Sequence, residues 1–531
     1  MRWRSFRSKV SLVAMMVTLS LPCLAGHVGQ RQKLVPSDGA SGDRYGSALA
    51  KDGEWVIVGA TKHTGTQTEQ GAAYVYRRTK IGTWDQGGTW AETQRLVLPT
   101  AAVKDWFGWA ADMDGASAVV SAYRRDVGAV ADAGAVYLYG LSGSVWMEDQ
   151  AIENPEAESA DAFGYSVSLD GGVLVVGNPY DDDASPGDMV CNSGSVYVFR
   201  KNGAAYLLEQ KLIASDPTCG AWFGFSCDLD GSVLAVGAPH APGIVADAGA
   251  VYVFRFNGSS WVEEQKIAAT DGAAAEGFAH TVELDGNRLF AGDQLDDTDT
   301  GADAGSVYAF AFNGTAWDLT QKITPAAPSA GENFGFSLAV EQNDLVIGAI
   351  RTDLAGTNTG SLYHFTWNGA QWVELAQFTA ADAEPEAALG YRALMQDGVA
   401  FMTSTQQSEG GVKMGAAYEF LINTRAAYDY YGRQTRFRSG YAYLRTGTHA
   451  RRQRRRGNRA LPAARALRHG SALRRHREPQ RGYSPGQRQR DHDPVRDLEN
   501  RNEPHQPHHS RRSGTVRRRR LPPGLRLHGG R

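Results

Sequence analysis

The sequence predicts an all-β fold: a seven-bladed β-propeller closed by a strand near the start of the chain, followed by a disordered Arg-rich C-terminal tail. Three observations carry this. One sequence pattern recurs seven times. Each copy alternates apolar and polar residues between tight turns, as half-buried antiparallel strands do. The last copy lacks its final strand, and a matching segment stands at the other end of the chain.

The copies begin at Tyr45, Phe107, Phe163, Phe223, Phe278, Phe334 and Leu389. "FGYSVSLDGGVLVVG" at 163–177 and "FGFSCDLDGSVLAVG" at 223–237 show the pattern plainly. An aromatic-Gly start leads into an alternating stretch, a turn such as "LDG" and a β-branched run. A polar loop of variable length follows, then "SGSVYVF", a turn often written "NG", and "WVEEQKI". Asp-Gly and Asn-Gly between alternating runs are hairpin signals, so each copy gives four antiparallel strands. One such sheet cannot bury both faces alone, and its neighbours must cover it. The seventh copy stops after "AAYEFLI". "QRQKLVPSDGA" at 30–40 matches "LEQKLIASDPT" at 208–218, so residues 30–35 are expected beside 415–422, removing an exposed edge.

The two ends read differently from this body. Residues 1–25 form a signal peptide: Arg2, Arg4, Arg7 and Lys9 precede the apolar run "VSLVAMMVTLSL", and Ala25 gives a small residue for cleavage. Pro22 disfavours a lipoprotein reading through Cys23. From Arg425 onward there are 29 Arg, no Lys and 7 acidic residues, a net charge of about +22, which leaves about −25 on residues 1–424. The segment 424–531 also lacks Ile, Met, Trp and Cys, and cannot bury enough apolar surface to fold. It reads as a solvated extension, a basic arm for a polyanion such as nucleic acid, or an out-of-frame translation of a GC-rich gene. We favour the last, because the repeat pattern stops abruptly near residue 425. The domain division is therefore signal peptide 1–25, propeller 26–423 and tail 424–531.

The "FG…VGAP…SGSVYVF" pattern, clearest at Gly237-Ala238-Pro239, resembles the FG-GAP repeats of the integrin α-subunit propeller and their exported bacterial relatives. The resemblance covers about residues 30–423 and implies adhesion or ligand recognition on one rim, outside the cell. Integrin-type repeats often carry a DxDxDG calcium loop in the first hairpin. Here that hairpin is only "LDG", "MDG" or "QDG", too poor in oxygen donors for a six- to eight-coordinate ion.

Candidate sites follow from the loops. "DDTDTGAD" offers Asp296, Asp297, Asp299 and Asp303 as a short Ca2+ loop, against the plainer reading of a solvated acidic loop. "YDDDASPGD" offers Asp181, Asp182, Asp183 and Asp188 in the same way. Before the Gly that opens strand three stand Glu69, Asp132, Asn192, Asp247, Asp303, Asn358 and Lys413, read as turn caps bonding backbone two residues on. Trp90, Trp146, Trp261, Trp317 and Trp372 share one register position and read as packing residues. Trp106 and Trp222 fall in connections between blades and are the ligand-contact candidates. Cys191 and Cys219 lie at the edge of one blade on one rim. A disulfide there closes about 28 residues and adds roughly 3 kcal/mol. Cys227 falls within an inner strand and reads as a buried thiol.

No catalytic constellation stands out. The Ser of "FGYS" is a blade position, the His of the body are scattered, and no phosphate-cradling loop is present. The expectation is an exported, non-catalytic binding or adhesion module that needs no cofactor, with Ca2+ as an option and an extracellular protein or glycan as partner. The alternatives are a polysaccharide-binding or polysaccharide-degrading propeller, and a structural surface-matrix component. The out-of-frame reading of the tail has a direct test: resequencing the gene from independent isolates is expected to reveal a frame shift near codon 425, and an intact frame in all of them overturns it.

Overall fold

The computed structural model describes residues 28–79, 88–182, 191–298 and 301–422. The signal peptide and the Arg-rich tail lie outside these residues. Seven four-stranded antiparallel sheets are present, each with its strands in simple up-and-down order. Blade 4 is representative: Ser226–Asp230, Val233–Ala238, Ala250–Phe256 and Trp261–Ile267 run from the axis outward. Innermost strands of successive blades touch one another in a closed cycle, including the first blade (Tyr45–Asp52) against the seventh (Ala393–Gln396).

The ring closes as expected. Val28–Leu34 pairs antiparallel with Ala416–Ile422, from Val28 opposite Ile422 to Leu34 opposite Ala417. Blade 7 thus takes its outer strand from the opposite end of the sequence.

The apolar core lies between blades rather than within them. Val173, Val175, Val196 and Val198 of blade 3 pack on Leu229, Leu234, Val236 and Tyr252 of blade 4. Six further clusters of this kind fill the other junctions. The repeated Trp belongs to these cores. Trp146 meets Trp55 of the preceding blade edge-on at 5.8 Å, and Trp372 meets Phe290 at 5.3 Å.

Where strand three begins, the backbones of neighbouring blades approach closely. Gly249 has φ of +90°, and a Cβ placed there would stand 2.1 Å from the carbonyl oxygen of Phe278 in the next blade. Only glycine meets both conditions. Phe278 and Gly249 form an isolated parallel bridge, one of several that tie the start of strand three to the next blade.

A polar belt outside the core was not anticipated. The Gln of "WVEEQKI" is a clamp. Gln265 Nε2 donates to the carbonyl of Trp317 at 3.0 Å, and the Trp317 N–H donates back to Gln265 Oε1 at 2.7 Å. Gln32, Gln94, Gln210 and Gln321 hold Trp90, Trp146, Trp261 and Trp372 in the same two-way manner, and Gln150 holds Tyr206. A β-bulge explains the aim. In every blade the pairing of strands three and four slips by one residue just before this position, as between Val253 and Phe254, and in six of the seven it holds a Gln. A bulge re-aims the side chain that follows it, here toward the next blade. Blade 6 has Ala376 at this position and forms no such clamp. Gln377, one residue later, stands where most other blades have Lys or Arg and bonds to Ser361 of its own blade.

Gln265→Ala is therefore expected to cost about 1–3 kcal/mol, for two lost backbone partners. Gln377→Ala should cost about 1 kcal/mol or less. Chemical denaturation of the two variants beside the wild type checks the difference.

Candidate functional site

Strand two of each blade ends, and each connection between blades arrives, at the same end of the ring. Two concentric layers of side chains stand there. The inner layer comes from the second residue after the aromatic start of each copy: Trp109, Tyr165, Phe225, His280, Phe336 and Tyr391. Successive rings touch, with centroids 5.3, 4.8, 5.0, 5.4 and 5.4 Å apart. Side chains at one register position meet their equivalents in this way only close to the axis. Blade 1 contributes Ser47 instead, and Arg392 reaches over to it, its Nε donating to the Ser47 carbonyl at 3.1 Å. The collar is a plug of aromatic rings with one guanidinium in the gap. Burial, with Arg392 and His240 nearby, pulls the His280 imidazole down to about 3, so it is neutral at pH 7.

The outer layer follows strand two by two residues: Lys62, Arg124, Tyr180, His240, Leu295, Arg351 and Gln406, all half-buried or more exposed. Trp222 lies among them. It is half-buried, stacks on Phe225 at 6.1 Å, and meets His240 at 4.2 Å and Tyr180 at 5.5 Å. Trp106 has another role. It is 5% exposed, stacked on Trp109 and covered by Lys62 and Arg124 at 5.3 and 4.7 Å from its ring. Of the two Trp candidates, Trp222 alone offers appreciable surface at the mouth.

The acidic loop does not act as one unit. Asp297 accepts the backbone N–H of Asp303, a bond that shapes the loop. Asp303 is exposed with φ of 52°, and Asp299 lies outside the described residues. Asp296 turns inward and is 2% exposed. Its companions are Glu276 and Asp293, with which it shares carboxylate oxygens all within 4.8 Å. Sequence reasoning missed both. In the other acidic loop Asp181 and Asp182 are buried, while Asp183 and Asp188 lie outside the described residues.

The turn-cap reading needs correction. Glu69, Asp132, Asn192, Asp247, Asp303 and Asn358 all take left-handed φ, between 41° and 63°. Asn and Asp recur because they tolerate that conformation. Their side chains go elsewhere: Asp132 to Arg124, Asp247 to His240 and Asn358 to Glu386. The Gly220 N–H donates to the Cys191 carbonyl at 2.5 Å, which places the backbones of Cys191 and Cys219 on one rim, with Cys191 buried and Cys219 exposed. Cys227 accepts from Ser166 at 3.2 Å, and burial pushes its thiol up to about 12.

Below the collar, the inner strands carry acids with a mechanical role. The Leu169 N–H donates to Asp112 at 2.7 Å and the Leu284 N–H to Asp228 at 2.6 Å, each across a blade junction. The "LDG" Asp does the same one layer down: Gly115, Gly231 and Gly286 donate to Asp52, Asp170 and Asp230 of the preceding blade. These Asp are therefore blade-to-blade latches as well as turn residues. Burial raises Asp112 to about 7, against the lowering effect of its two backbone donors. Asp228 is raised to about 6 by burial, and Glu283 is raised well above its usual range by burial and by Asp228.

The FG-GAP repeat family pattern matches residues 28–76, 90–139, 146–199, 202–254, 261–310 and 317–365, more than half of the chain. Each matched unit begins on, or within three residues before, the outer strand of one blade and ends on the third strand of the next. No curated protein matches.

The axial acids give a pH prediction. A carboxyl with a raised folded pKa binds protons more tightly in the native state, so stability declines as pH rises from about 4 to about 7. Asp112→Asn removes one such group and is expected to make the fall of Tm over pH 4–8 shallower than in the wild type. An unchanged slope in calorimetry would remove Asp112 as a contributor.

Proposed function

The chain belongs to the FG-GAP repeat family, and from that premise we propose that it is an exported, non-catalytic binding module whose ligand seats on the mouth of the ring. The carrying observation is local chemistry. Lys62, Arg124, Arg351 and Arg392, from the neighbouring blades 1, 2, 6 and 7, stand along one side of a collar of aromatic rings, although residues 1–424 carry a net charge of about −25. Aromatic faces suit the apolar faces of sugars, and guanidinium groups suit carboxylate or sulfate. This combination favours an acidic glycan over an uncharged one, and it favours the lectin-like form of the alternative reading over the degrading one. The non-catalytic reading is supported by the engagements of the acids: Asp112 and Asp228 hold neighbouring strands, Asp132 holds Arg124, and Asp247 bonds to the His240 ring. The export and adhesion elements rest on the signal-like start of the sequence and on the family.

The test is calorimetric titration of the full chain with alginate and pectate as acidic probes and dextran as a neutral one. Binding to an acidic probe is expected, weakening as salt is raised. Trp222→Ala and Arg392→Ala are each expected to weaken it about tenfold, near 1.4 kcal/mol. No binding to any probe, or binding unaffected by Trp222→Ala, overturns the assignment to this mouth.

A further inference from the structure

Within blade 5, three carboxylates are buried together. Asp293 ends strand two (Arg288–Asp293), Asp296 lies in the loop that follows, and Glu276 lies in the connection from blade 4. Their exposures are 0, 2 and 9%. Glu276 accepts the Ala273 N–H, and Asp296 accepts Lys322 at 2.8 Å, a lysine that Asp271 also holds at 2.8 Å. Asp293 is different. Neither of its oxygens has a hydrogen-bond partner, and both lie in the interior. Ser306, directly opposite Asp293 across the strand pair, is fully buried with its hydroxyl also unpartnered. A buried carboxylate without a partner is among the costliest groups in a fold.

The repeat supplies its own controls. At the position of Asp293 the other blades carry Ala60, Ala122, Asn178, Ala238, Ala349 and Ser404. Four of the six are alanine, so the fold does not need a carboxylate there. Blade 3 meets its buried acids with protein donors, although Asn178 Oδ1 and Asp161 Oδ1 keep no partner of their own, and Lys211 pairs with Asp181 at 2.9 Å as Lys322 does with Asp296. Asn178 donates to Asp181 at 3.3 Å, Ser195 donates to the same carboxylate, and Asn154 donates to Asp161 at 2.9 Å. Blade 5 has Asp where blade 3 has that Asn, and so replaces a donor with a third acid. The three carboxylates bring oxygens within 4.8 Å of one another, with Lys322 paired to Asp296 beside them, a concentration of negative charge that a bound cation would relieve.

We propose that Glu276, Asp293 and Asp296 form a binding site for a hard divalent cation of the Ca2+ type. All the protein donors are oxygen: three carboxylates, with the Ser306 hydroxyl adjacent. That set suits Ca2+ or Mg2+ and does not favour softer ions. The ion ties the connection from blade 4 to the loop after strand two of blade 5, at the mouth end of the ring. It lies away from the first-hairpin calcium loops of integrin-type repeats. Of the acids in "DDTDTGAD" it uses Asp296 alone, and Asp297 and Asp303 remain loop-shaping residues. The proposal does not depend on what the mouth binds.

The test uses the full chain, stripped with a chelator and melted in chelator, CaCl2, MgCl2 or MnCl2. A saturable rise in Tm of about 3 °C or more is expected with at least one of these ions. Asp293→Ala, which restores the residue of four other blades, should fold, melt in chelator no lower than the wild type, and lose the response. Glu276→Gln is a second variant expected to weaken the response at least tenfold in ion concentration, and Asp297→Asn should leave it intact. A wild type that responds to none of the ions overturns the proposal. So does an Asp293→Ala variant that responds like the wild type, or a response abolished by Asp297→Asn alone.

Discussion

Every part of this ring depends on one constraint: a four-stranded sheet has two apolar faces and cannot cover either by itself. The apolar clusters consequently lie at the junctions, each drawing on two adjacent blades. No blade is a stable unit on its own terms, and the junction is where polar chemistry is concentrated. At the periphery, Gln265 and its equivalents exchange two hydrogen bonds with the next outer strand. At the axis, Asp112, Asp228 and the "LDG" carboxylates accept N–H groups across the same gap. Between them lie the Trp and β-branched residues. The apolar layer supplies most of the drive to associate, and the two polar layers fix the register in which blades meet.

Closure follows from the same constraint. The sequence unit is offset by one strand from the blade, since each matched repeat runs from an outer strand to the third strand of the following sheet. An offset unit leaves a lone outer strand at the start and an incomplete sheet at the end. Pairing Val28–Leu34 with Ala416–Ile422 satisfies both. Gln32, carried on that strand, then clamps Trp90 in blade 1, so the closing strand is held by side chains as well as by its ladder. The bulge before each Gln makes this geometry possible, because a regular ladder would leave the amide pointing along its own sheet.

Crowding at the axis and openness at the mouth divide the structural roles from the recognition roles. Where strands converge, carboxyl groups are desolvated and their pKa values rise, so they serve as latches at some cost in pH sensitivity. Where loops diverge, variable residues can be carried without disturbing the ring. The collar shows the transition. Its rings pack on one another like a core, yet Trp222, His240 and the loop cations stand just outside it with surface to offer. Blade 5 departs from the pattern in another way, placing a third carboxylate where most blades have alanine.

The repeat determined much of this protein from sequence alone. Strand number, blade number, the closing strand and the packing role of the Trp all follow from period, alternation and turn residues, which act over short distances along the chain. The family resemblance was likewise readable from "FG", "GAP" and "SGSVYVF". Other features required the third dimension. The Gln of "WVEEQKI" was plainly recurrent, but its partner lies about fifty residues away and its aim depends on a bulge. Asp293 was visible only as a flaw in the "GAP" pattern, and its meaning came from Glu276 and Asp296 closing around it. Trp106 and Trp222 occupy the same register position, yet Lys62 and Arg124 cover one while the other keeps appreciable exposure. Local pattern encodes which strands form, because turns and alternation are properties of neighbouring residues. Burial, charge pairing and access are properties of residues brought together from different blades, and only the assembled ring decides them.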